Sequence, residues 1–426
     1  MQQGMALGLT SDPLSPASAS RLGESRQSTE QTPAVPSLPP SAVRQFTGPL
    51  ATEAFIHVVP DPGDPDDAYG QTVAVYRKLR AALVAIGASW HDVVRESVFF
   101  RNIEQHGAPF CAARAWVLEL LEGRRSYHPA STFIEQPPLS STAQVEVMVK
   151  VISPESRQDL PIDAGGSTNG AGSALLNTPS VRSIVMGDET HIFASNMLGV
   201  PGTSDSESAS MFDVAEEILT KESTDFHAVP RTWIYLQHME RDYAGLNRAR
   251  RAFFERSGIE VRPASTGIRG APAPTENSLA LAFYAIRSPE PLRMSIMTTP
   301  TLNEAWEYGS DFSRGMRVET KNKVALYISG TASVDEIGDT VHIDDFPAQV
   351  ERMLLNVEKL LEHQNASYRD LVSAISYINH PEHYSVYEAI LRRKGIGGFP
   401  HPIVHADVCR PDLLCEMEAI AYLPAD

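Results

Sequence analysis

The chain has 426 residues, enough for two to four domains of roughly 100–200 residues each, and its 42% hydrophobic content supports well-packed cores. A formal net charge of −17 argues against nucleic acid, which proteins bind through clustered lysine and arginine, and no basic run suggests a membrane surface. Three cysteines without CxxC spacing disfavour disulfides and a structural zinc site, and they fit the reducing cytoplasm, where we expect the protein.

The order of elements along the chain indicates a leader, a linker and three repeats. Residues 1–48 are rich in serine, proline and glutamine and predict a disordered leader. Residues 154–180 contain a glycine- and serine-rich run and predict a flexible linker. The ranges 49–153, 181–290 and 291–426 each show strands, an amphipathic helix, a strand, a second helix and a closing strand.

Helix signals recur at matching places in the repeats. Apolar residues at helical spacing predict the first helix of each repeat within 73–86, 211–219 and 350–361. Asp345 is expected to cap the last of these helices at its N-terminus. Gly258 and Gly395 follow basic residues, as is typical of a helix C-terminus, and predict the ends of two second helices.

This repeat predicts an α+β fold, in which a mixed sheet carries both helices on one face. The other face of each sheet is bare, and three copies in one chain can bury those faces around a shared axis, as the subunits of a cyclic trimer do. We therefore expect an intrachain pseudo-trimer, either monomeric or assembled into a homo-oligomer. Because ligand pockets favour interfaces, the clefts between repeats are the expected binding sites.

The last predicted strand, 413–422, carries the strongest chemical signal. Side chains alternate across a strand, so Glu416 and Glu418 share one face with Leu414 and Ile420. A carboxyl group among apolar neighbours has a raised pKa and can carry a proton near neutral pH. Arg410 lies just before the strand and could hold an anionic substrate. The alternative is a surface strand with solvated acids.

Four short runs resemble the Rid/YjgF superfamily. Three lie in the last repeat and one in the first: 328–332 (ISGTA), 365–372 (NASYRDLV), 416–421 (EMEAIA) and 87–94 (GASWHDVV). The resemblance implies three tandem Rid-like units of the chorismate-mutase-like fold, the middle one degenerate, with active sites between units.

The middle and last repeats together are similar to a narrower branch, the chorismatases, which hydrolyse or eliminate the enolpyruvyl group of chorismate. The resemblance implies that Glu416 is the catalytic proton donor and that Cys409 lies in the pocket and influences the product. The matching positions imply a substrate-binding set of Arg231, Tyr235, Arg250, Arg256, Arg314, Cys409 and Arg410. The loop at 308–311 is shorter here than in that branch.

The imine deaminases of the superfamily pair an arginine on the loop before the last strand with a glutamate early in that strand. Carried over to this chain, the first repeat keeps Glu146 but has Ser131 at the arginine position. The middle repeat has Ser265 and no acid, and the last has Glu416 with Pro402 near the arginine position. At most one or two clefts are therefore expected to be active, and the cleft of Glu416 is favoured.

The expected function is a cofactor-independent hydrolase or lyase of secondary metabolism. It would act on a small anionic carboxylate such as chorismate and release pyruvate. We expect no metal, because His380 and His383 fit the start of a helix better than a ligand pair. The alternatives are a Rid-type imine or enamine hydrolase, another tailoring enzyme on the same scaffold, and a non-catalytic ligand-binding protein.

Overall fold

The computed structural model describes residues 42–122, 128–155, 173–273 and 276–425. Most of the predicted leader (1–41) and most of the predicted linker (156–172) lie outside these ranges.

In the first repeat, five strands form a sheet in the order β1-β2-β5-β3-β4, and two helices accompany it. The strands are β1 (Val43–Thr47), β2 (Ala51–Val58), β3 (Val93–Phe100), β4 (Ala130–Glu135) and β5 (Val145–Pro154), and the helices are α1 (Ala68–Ala85) and α2 (Ile103–Glu122). Strands β3 and β4 run parallel and the other neighbours antiparallel, so the sheet is mixed.

The second repeat repeats this arrangement in the order β6-β7-β11-β8-β9. Its elements are β6 (Ser180–Met186), β7 (Glu189–Leu198), α3 (Ser204–Lys221), β8 (Arg231–Leu236), α4 (Met239–Ser257), β9 (Ala264–Arg269), β10 (Ala271–Pro272) and β11 (Leu279–Arg287). The two-residue strand β10 pairs with β4 of the first repeat instead of its own sheet, which joins the two repeats.

The third repeat forms a sheet in the order β12-β13-β14-β17-β15-β16. Its elements are β12 (Arg293–Ile296), β13 (Gly315–Glu319), β14 (Val324–Ala332), α5 (Phe346–Glu362), β15 (Leu371–Ile378), α6 (Tyr384–Lys394), β16 (Ile403–His405) and β17 (Cys415–Leu423). Strand β17 lies between β14 and β15, so its side chains reach the middle of the sheet.

The faces of the three sheets that carry no helices meet around a common axis. One hydrophobic cluster contains Phe55 of the first repeat, Trp233 and Tyr284 of the second, and Tyr327 and Tyr377 of the third, all buried. Separate clusters fill the space between sheet and helices in the first and second repeats. The predicted α+β fold of three Rid-like units arranged as a pseudo-trimer is confirmed.

The helix ends follow the sequence signals. Asp345 caps α5 by accepting a hydrogen bond from the backbone N–H of Ala348. Gly258 and Gly395 end α4 and α6 in the left-handed conformation, with φ of 67° and 68°, which glycine adopts without steric cost. No helix in the described ranges is both long and apolar enough to cross a membrane.

Three predicted boundaries differ from the structure, and one of them is the start of the linker, because β5 runs through Pro154. Strand β1 lies inside the range predicted as a leader, because it pairs along its whole length with β2 and because Phe46 packs against Tyr422 with ring centroids 5.5 Å apart. Strand β6 begins at Ser180, inside the range predicted as a linker, because it pairs with β7 from that residue onward.

Candidate active site

A cleft between the second and third repeats brings together most of the predicted site residues. The second repeat contributes Tyr243, Arg250, Ser265 and Gly267, and the third contributes Phe312, Arg314, Gly330, Ala332, Val334, Cys409, Arg410, Leu413 and Glu416. The cavity volume is about 40 Å³, room for only a few water molecules at roughly 10–15 Å³ each. A larger ligand can enter only if part of this lining moves.

Glu416 lies early in β17, opposite Ala332 on β14 and Tyr377 on β15, and only 4% of its surface is exposed. No hydrogen bond joins its carboxyl group to another residue in the described part of the chain. Burial and the nearby charge of Glu418 raise the pKa of Glu416 to about 8. At neutral pH, Glu416 is therefore mostly protonated and able to donate a proton.

A β-bulge makes room for this carboxyl group. The pairing of β14 with β17 shifts by one residue between Ile328 and Thr331, which places Gly330 directly against Glu416. A Cβ atom on Gly330 would lie 2.1 Å from Oε1 of Glu416. The backbone N–H of Gly330 donates to Thr266 of the second repeat at 3.1 Å, so the bulge also contacts the neighbouring repeat.

The other two repeats lack this combination of bulge and acid. In the first repeat, the register gives Glu146 the position of Glu416, but β2 and β5 pair without a bulge and His57 bonds Glu146 at 3.1 Å. In the second repeat, the pairing of β7 with β11 does shift, but Ala280 occupies the position of the acid. Among the described residues, a bulge and an acid therefore coincide only at Glu416.

Three arginines give the cleft a positive charge. The guanidinium groups of Arg250 and Arg314 lie 5.7 and 6.0 Å from the ring of Phe312 and so flank the same side chain. Arg314 donates to the backbone carbonyl of Asn303 at 2.8 Å. Arg410 donates to the carbonyl of Gly338 at 2.6 Å. With Glu416 protonated, the cleft suits a ligand that carries carboxylates.

Cys409 also lines the cleft, as predicted. Burial and the charge of Glu416 raise the pKa of its thiol to about 12, so the thiol is protonated at neutral pH. A protonated thiol is a weak nucleophile, so the position of Cys409 in the cleft does not by itself indicate covalent catalysis.

Arg256 does not line the cleft, contrary to the position expected for a substrate-binding residue. It lies at the end of α4 with 56% of its side chain exposed, and it pairs with Asp213 and Glu216 of α3 at 3.0 and 3.4 Å. Six residues separate Arg256 from Arg250, a rotation of about 240° around a helix, so the two side chains leave α4 on different faces.

Arg231 and Tyr235 do not line the cleft either, contrary to the position expected for substrate-binding residues. They alternate with Trp233 on one face of β8, and all three side chains point into the buried axis between the repeats. Arg231 donates to Glu418 at 2.9 Å and to Thr266 at 2.6 Å. Trp233 donates to the same carboxylate of Glu418 at 2.8 Å. Arg231 therefore acts on Glu416 only at a distance, through its charge.

Tyr243 is the lining residue that sequence reasoning could have found and did not. It lies seven residues before Arg250, and two helical turns bring such residues to within about 20° of the same face. Burial raises the pKa of its hydroxyl group. No group of three or more His, Cys, Asp or Glu side chains within the described ranges is placed to hold a metal ion.

Glu416 should make the folded protein less stable as the pH rises. Its pKa is about 8 in the folded state against 4.5 when unperturbed, so the folded state binds more protons between these values and stability falls with increasing pH. We expect Glu416→Gln, which cannot ionise, to raise the free energy of unfolding at pH 7–8 by about 1–3 kcal/mol. Denaturant titrations at pH 5 and pH 8 measure this. A gain that is equal at both pH values would contradict the shift.

Gly330→Ala should disturb the site without disturbing the fold. The new Cβ atom overlaps Oε1 of Glu416, and because this oxygen ends a flexible side chain, the carboxyl group can swing away into the cleft. We expect the unfolding temperature to change by only a few degrees, as for a loss of about 1 kcal/mol, and turnover to fall at least about tenfold. Thermal unfolding and steady-state rates of the same preparation test both statements.

The C-terminal part of the chain matches one family model. Residues 309–423 match Endoribonuclease L-PSP, and this range contains the bulge at Gly330 and the strand of Glu416.

Solved structures extend the likeness. A chorismatase is 15% identical and covers 87% of this chain and 99% of its own, with a TM-score of 0.59. Smaller Rid proteins align with about one repeat. YyfA from Yersinia pestis is 21% identical and covers 31% of this chain and 100% of its own, with a TM-score of 0.27. A YjgF/YER057c/UK114 family member from Mycobacterium tuberculosis is 23% identical and covers 30% of this chain and 98% of its own, with a TM-score of 0.25.

The predicted resemblance to the Rid/YjgF superfamily is confirmed for the third repeat, and most of the chain has a fold like that of a chorismatase. The family model covers the third repeat, and the chorismatase structure covers most of the chain. At 15% identity the likeness to chorismatase concerns the fold, so the reaction must be argued from the cleft itself.

Proposed function

We propose that this chain is a cofactor-independent, chorismatase-like enzyme that releases pyruvate from a small enol-ether carboxylate such as chorismate. The observation that carries the proposal is the state of Glu416. Its carboxyl group is buried, makes no hydrogen bond in the described part of the chain, and has a pKa of about 8 in a cleft lined by three arginines. An acid that holds its proton at neutral pH is suited to general acid catalysis.

The chemistry follows from one proton transfer. Glu416 would protonate the terminal methylene carbon of the enolpyruvyl group, which creates a positive charge on the ether carbon. Water would then add at this carbon and lose a proton, and the resulting hemiketal would collapse to pyruvate and an alcohol. Alternatively, the substrate ring would lose a proton and pyruvate would leave by elimination. The proton lost from the water or from the ring can return to the carboxylate of Glu416, which restores the acid for the next turnover.

Arg250, Arg314 and Arg410 would bind the substrate. Chorismate carries two carboxylates, and a guanidinium group holds a carboxylate through two parallel hydrogen bonds. Arg250 and Arg314 flank Phe312 and would hold one end, while Arg410, near Cys409, would hold the other. We infer that the enzyme acts in the cytoplasm, in secondary metabolism.

The proposal is tested by incubating the purified protein with chorismate and following pyruvate with a coupled lactate dehydrogenase assay. Release of pyruvate above the rate of the buffer control supports the proposal. No release at any pH between 6 and 8, with protein that is folded by circular dichroism, would refute it for this substrate.

A second candidate is an imine or enamine hydrolase, favoured by the match of residues 309–423 to the Endoribonuclease L-PSP family. Against it, Pro402 stands near the position where the deaminases of the superfamily place their arginine. Freshly generated 2-aminoacrylate distinguishes the two candidates, because only the hydrolase releases ammonia from it. The family name Endoribonuclease L-PSP refers to cleavage of RNA. The net charge of −17 disfavours binding of RNA by this chain.

A further inference from the structure

A short segment of the third repeat, residues 303–312, separates the cleft from a second groove on the protein surface. We call it the cover segment. On its inner side, Phe312 lines the cleft of Glu416. On its outer side, Asp311 lines a groove of about 360 Å³ with residues at the end of α4. The cleft itself measures about 40 Å³, and Phe312 of the cover segment forms one of its walls.

Side chains of the second repeat hold the cover segment down. The Asp311 carboxylate accepts a hydrogen bond from Nε of Arg251 at 3.0 Å and from Nε of Arg262 at 3.2 Å. Arg251 also donates to the carbonyl of Gly309 at 3.0 Å. These two arginines are 47% and 29% exposed, so water and salt can compete for them. The Asp311 carboxylate itself is buried, so it depends on these two partners while the segment is closed and needs water in their place when the segment is released.

The ends of the cover segment are anchored differently, within the body of the protein. The backbone N–H of Ser313 donates to the carbonyl of Pro263 at 3.1 Å, and its carbonyl accepts from the buried hydroxyl of Ser329 at 2.6 Å. At the other end, Arg314 holds the carbonyl of Asn303. Between them, Gly309 has a φ of 95°, a backbone conformation open to glycine. Besides the contacts of Asp311, the Ser310 hydroxyl lies 3.3 Å from the hydroxyl of Tyr243, and the Arg262 guanidinium lies 5.3 Å from the ring of Trp306, so side chains of the second repeat hold the middle of the segment.

We propose that the cover segment is a lid over the cleft and that the contacts of Asp311 with Arg251 and Arg262 are its latch. Release of the latch would move Phe312 away from the cleft and admit a ligand the size of a cyclohexadiene carboxylate. The proposal rests on the cleft being the site described under Proposed function. Opening of the lid, however, can be measured without any substrate.

Cys409 is a built-in reporter of the opening. It lines the cleft and is partly exposed, whereas Cys111 and Cys415 are buried. While the lid is closed, burial keeps the Cys409 thiol protonated and slow to react. When the lid opens, the thiol becomes more accessible to water and to the reagent than it is in the closed state. The rate of alkylation by iodoacetamide at pH 8, read by mass spectrometry at Cys409, therefore follows the open population.

Asp311→Asn should speed this alkylation by about 5- to 30-fold, the change expected when one or two interactions of ordinary strength are lost. Arg251→Gln combined with Arg262→Gln should have a similar effect, and adding Asp311→Asn to that pair should change little more. Raising the salt concentration should speed alkylation of the wild type and leave Asp311→Asn unchanged.

The matched control is Asp205→Asn. It breaks the pair of Asp205 with Arg248, another arginine of α4, at 2.7 Å and away from the cleft lining. Alkylation of this variant should equal that of the wild type. Wild-type rates in both Asp311→Asn and the double arginine variant, with each protein folded by circular dichroism, would overturn the lid. Faster alkylation without turnover of chorismate would keep the lid and refute only the proposed reaction.

Discussion

Replacing Glu416 by glutamine is expected to lower kcat for pyruvate release by about 10²- to 10⁴-fold, the usual worth of a positioned general acid. Glutamine keeps the size and the hydrogen-bonding capacity of the side chain but has no proton to give to carbon. The cleft and its arginines stay in place, so KM should change much less than kcat. Steady-state kinetics on chorismate measure both constants.

Glu146→Gln is the matched control, because Glu146 occupies the same register position in the first repeat. There the carboxylate is bonded to His57 and no bulge opens space beside it. This variant should retain wild-type kinetics. If Glu416→Gln were as active as wild type, the acid would have no part in the reaction. If both variants lost activity, a second cleft would contribute to turnover.

The kinetics should also depend on pH in a definite direction. Burial and the charge of Glu418 raise the pKa of Glu416 to about 8, so the proton-donating form is lost as the pH rises through that value. The expected profile of kcat/KM therefore falls on the alkaline side, near pH 8. A fall on the acid side, near the ordinary pKa of glutamate, would identify Glu416 as a base instead of an acid.

The sequence predicted the architecture well because the fold repeats. Three copies of one strand and helix order can each be recognised by hydrophobic period, and their bare sheet faces leave few ways to pack. The alternation of side chains along β17 also predicted the face of the sheet on which Glu416 lies, because successive side chains of a strand point to opposite faces. These features depend on local spacing, which a single sequence displays.

The arginines were harder to place, because their direction depends on tertiary contacts. The helical period of α4 places Arg250 and Arg256 on different faces, and this difference could have been predicted from their spacing in the sequence. The direction of the Arg231 side chain could not have been predicted in this way, because its partner Glu418 comes from another repeat, 187 residues later in the chain. The bulge at Gly330 is equally hidden, since it is a shift in register between two distant strands. Residue type alone therefore suggested more ligands than the cleft holds.

A second buried carboxylate, Glu53, illustrates how the repeats are held together. Its side chain is fully buried at the axis, where it pairs with Lys150 of its own repeat at 2.8 Å and with Lys323 of the third repeat. It also accepts from Asn322 at 3.0 Å and from Tyr422 at 3.2 Å. The charges of both lysines hold the pKa of Glu53 well below its usual value, against the effect of burial. Burial in turn lowers the pKa of Lys150 to about 8.

We expect Glu53→Gln to lower the free energy of unfolding by about 3–5 kcal/mol, because it leaves two buried ammonium groups without a carboxylate. The loss should depend on pH. The folded pKa of Glu53 is depressed, so its contribution is present above pH 4.5 and disappears as the pH falls further. The variant and the wild type should therefore differ most near pH 7 and least in acid, as measured by denaturant titration at several pH values.

Lys323→Met is the informative control for this cluster. It removes one of the two ammonium groups and leaves Glu53 with Lys150, so the remaining buried charges sum to zero. Because methionine fits the apolar surroundings of the lysine stem, this variant should cost less than Glu53→Gln. The opposite ranking would mean that the lysine, and not the carboxylate, organises the axis. In that case the main contribution would be the packing of Lys323 against Tyr422 within the third repeat, where the ring lies 4.7 Å from the ammonium group.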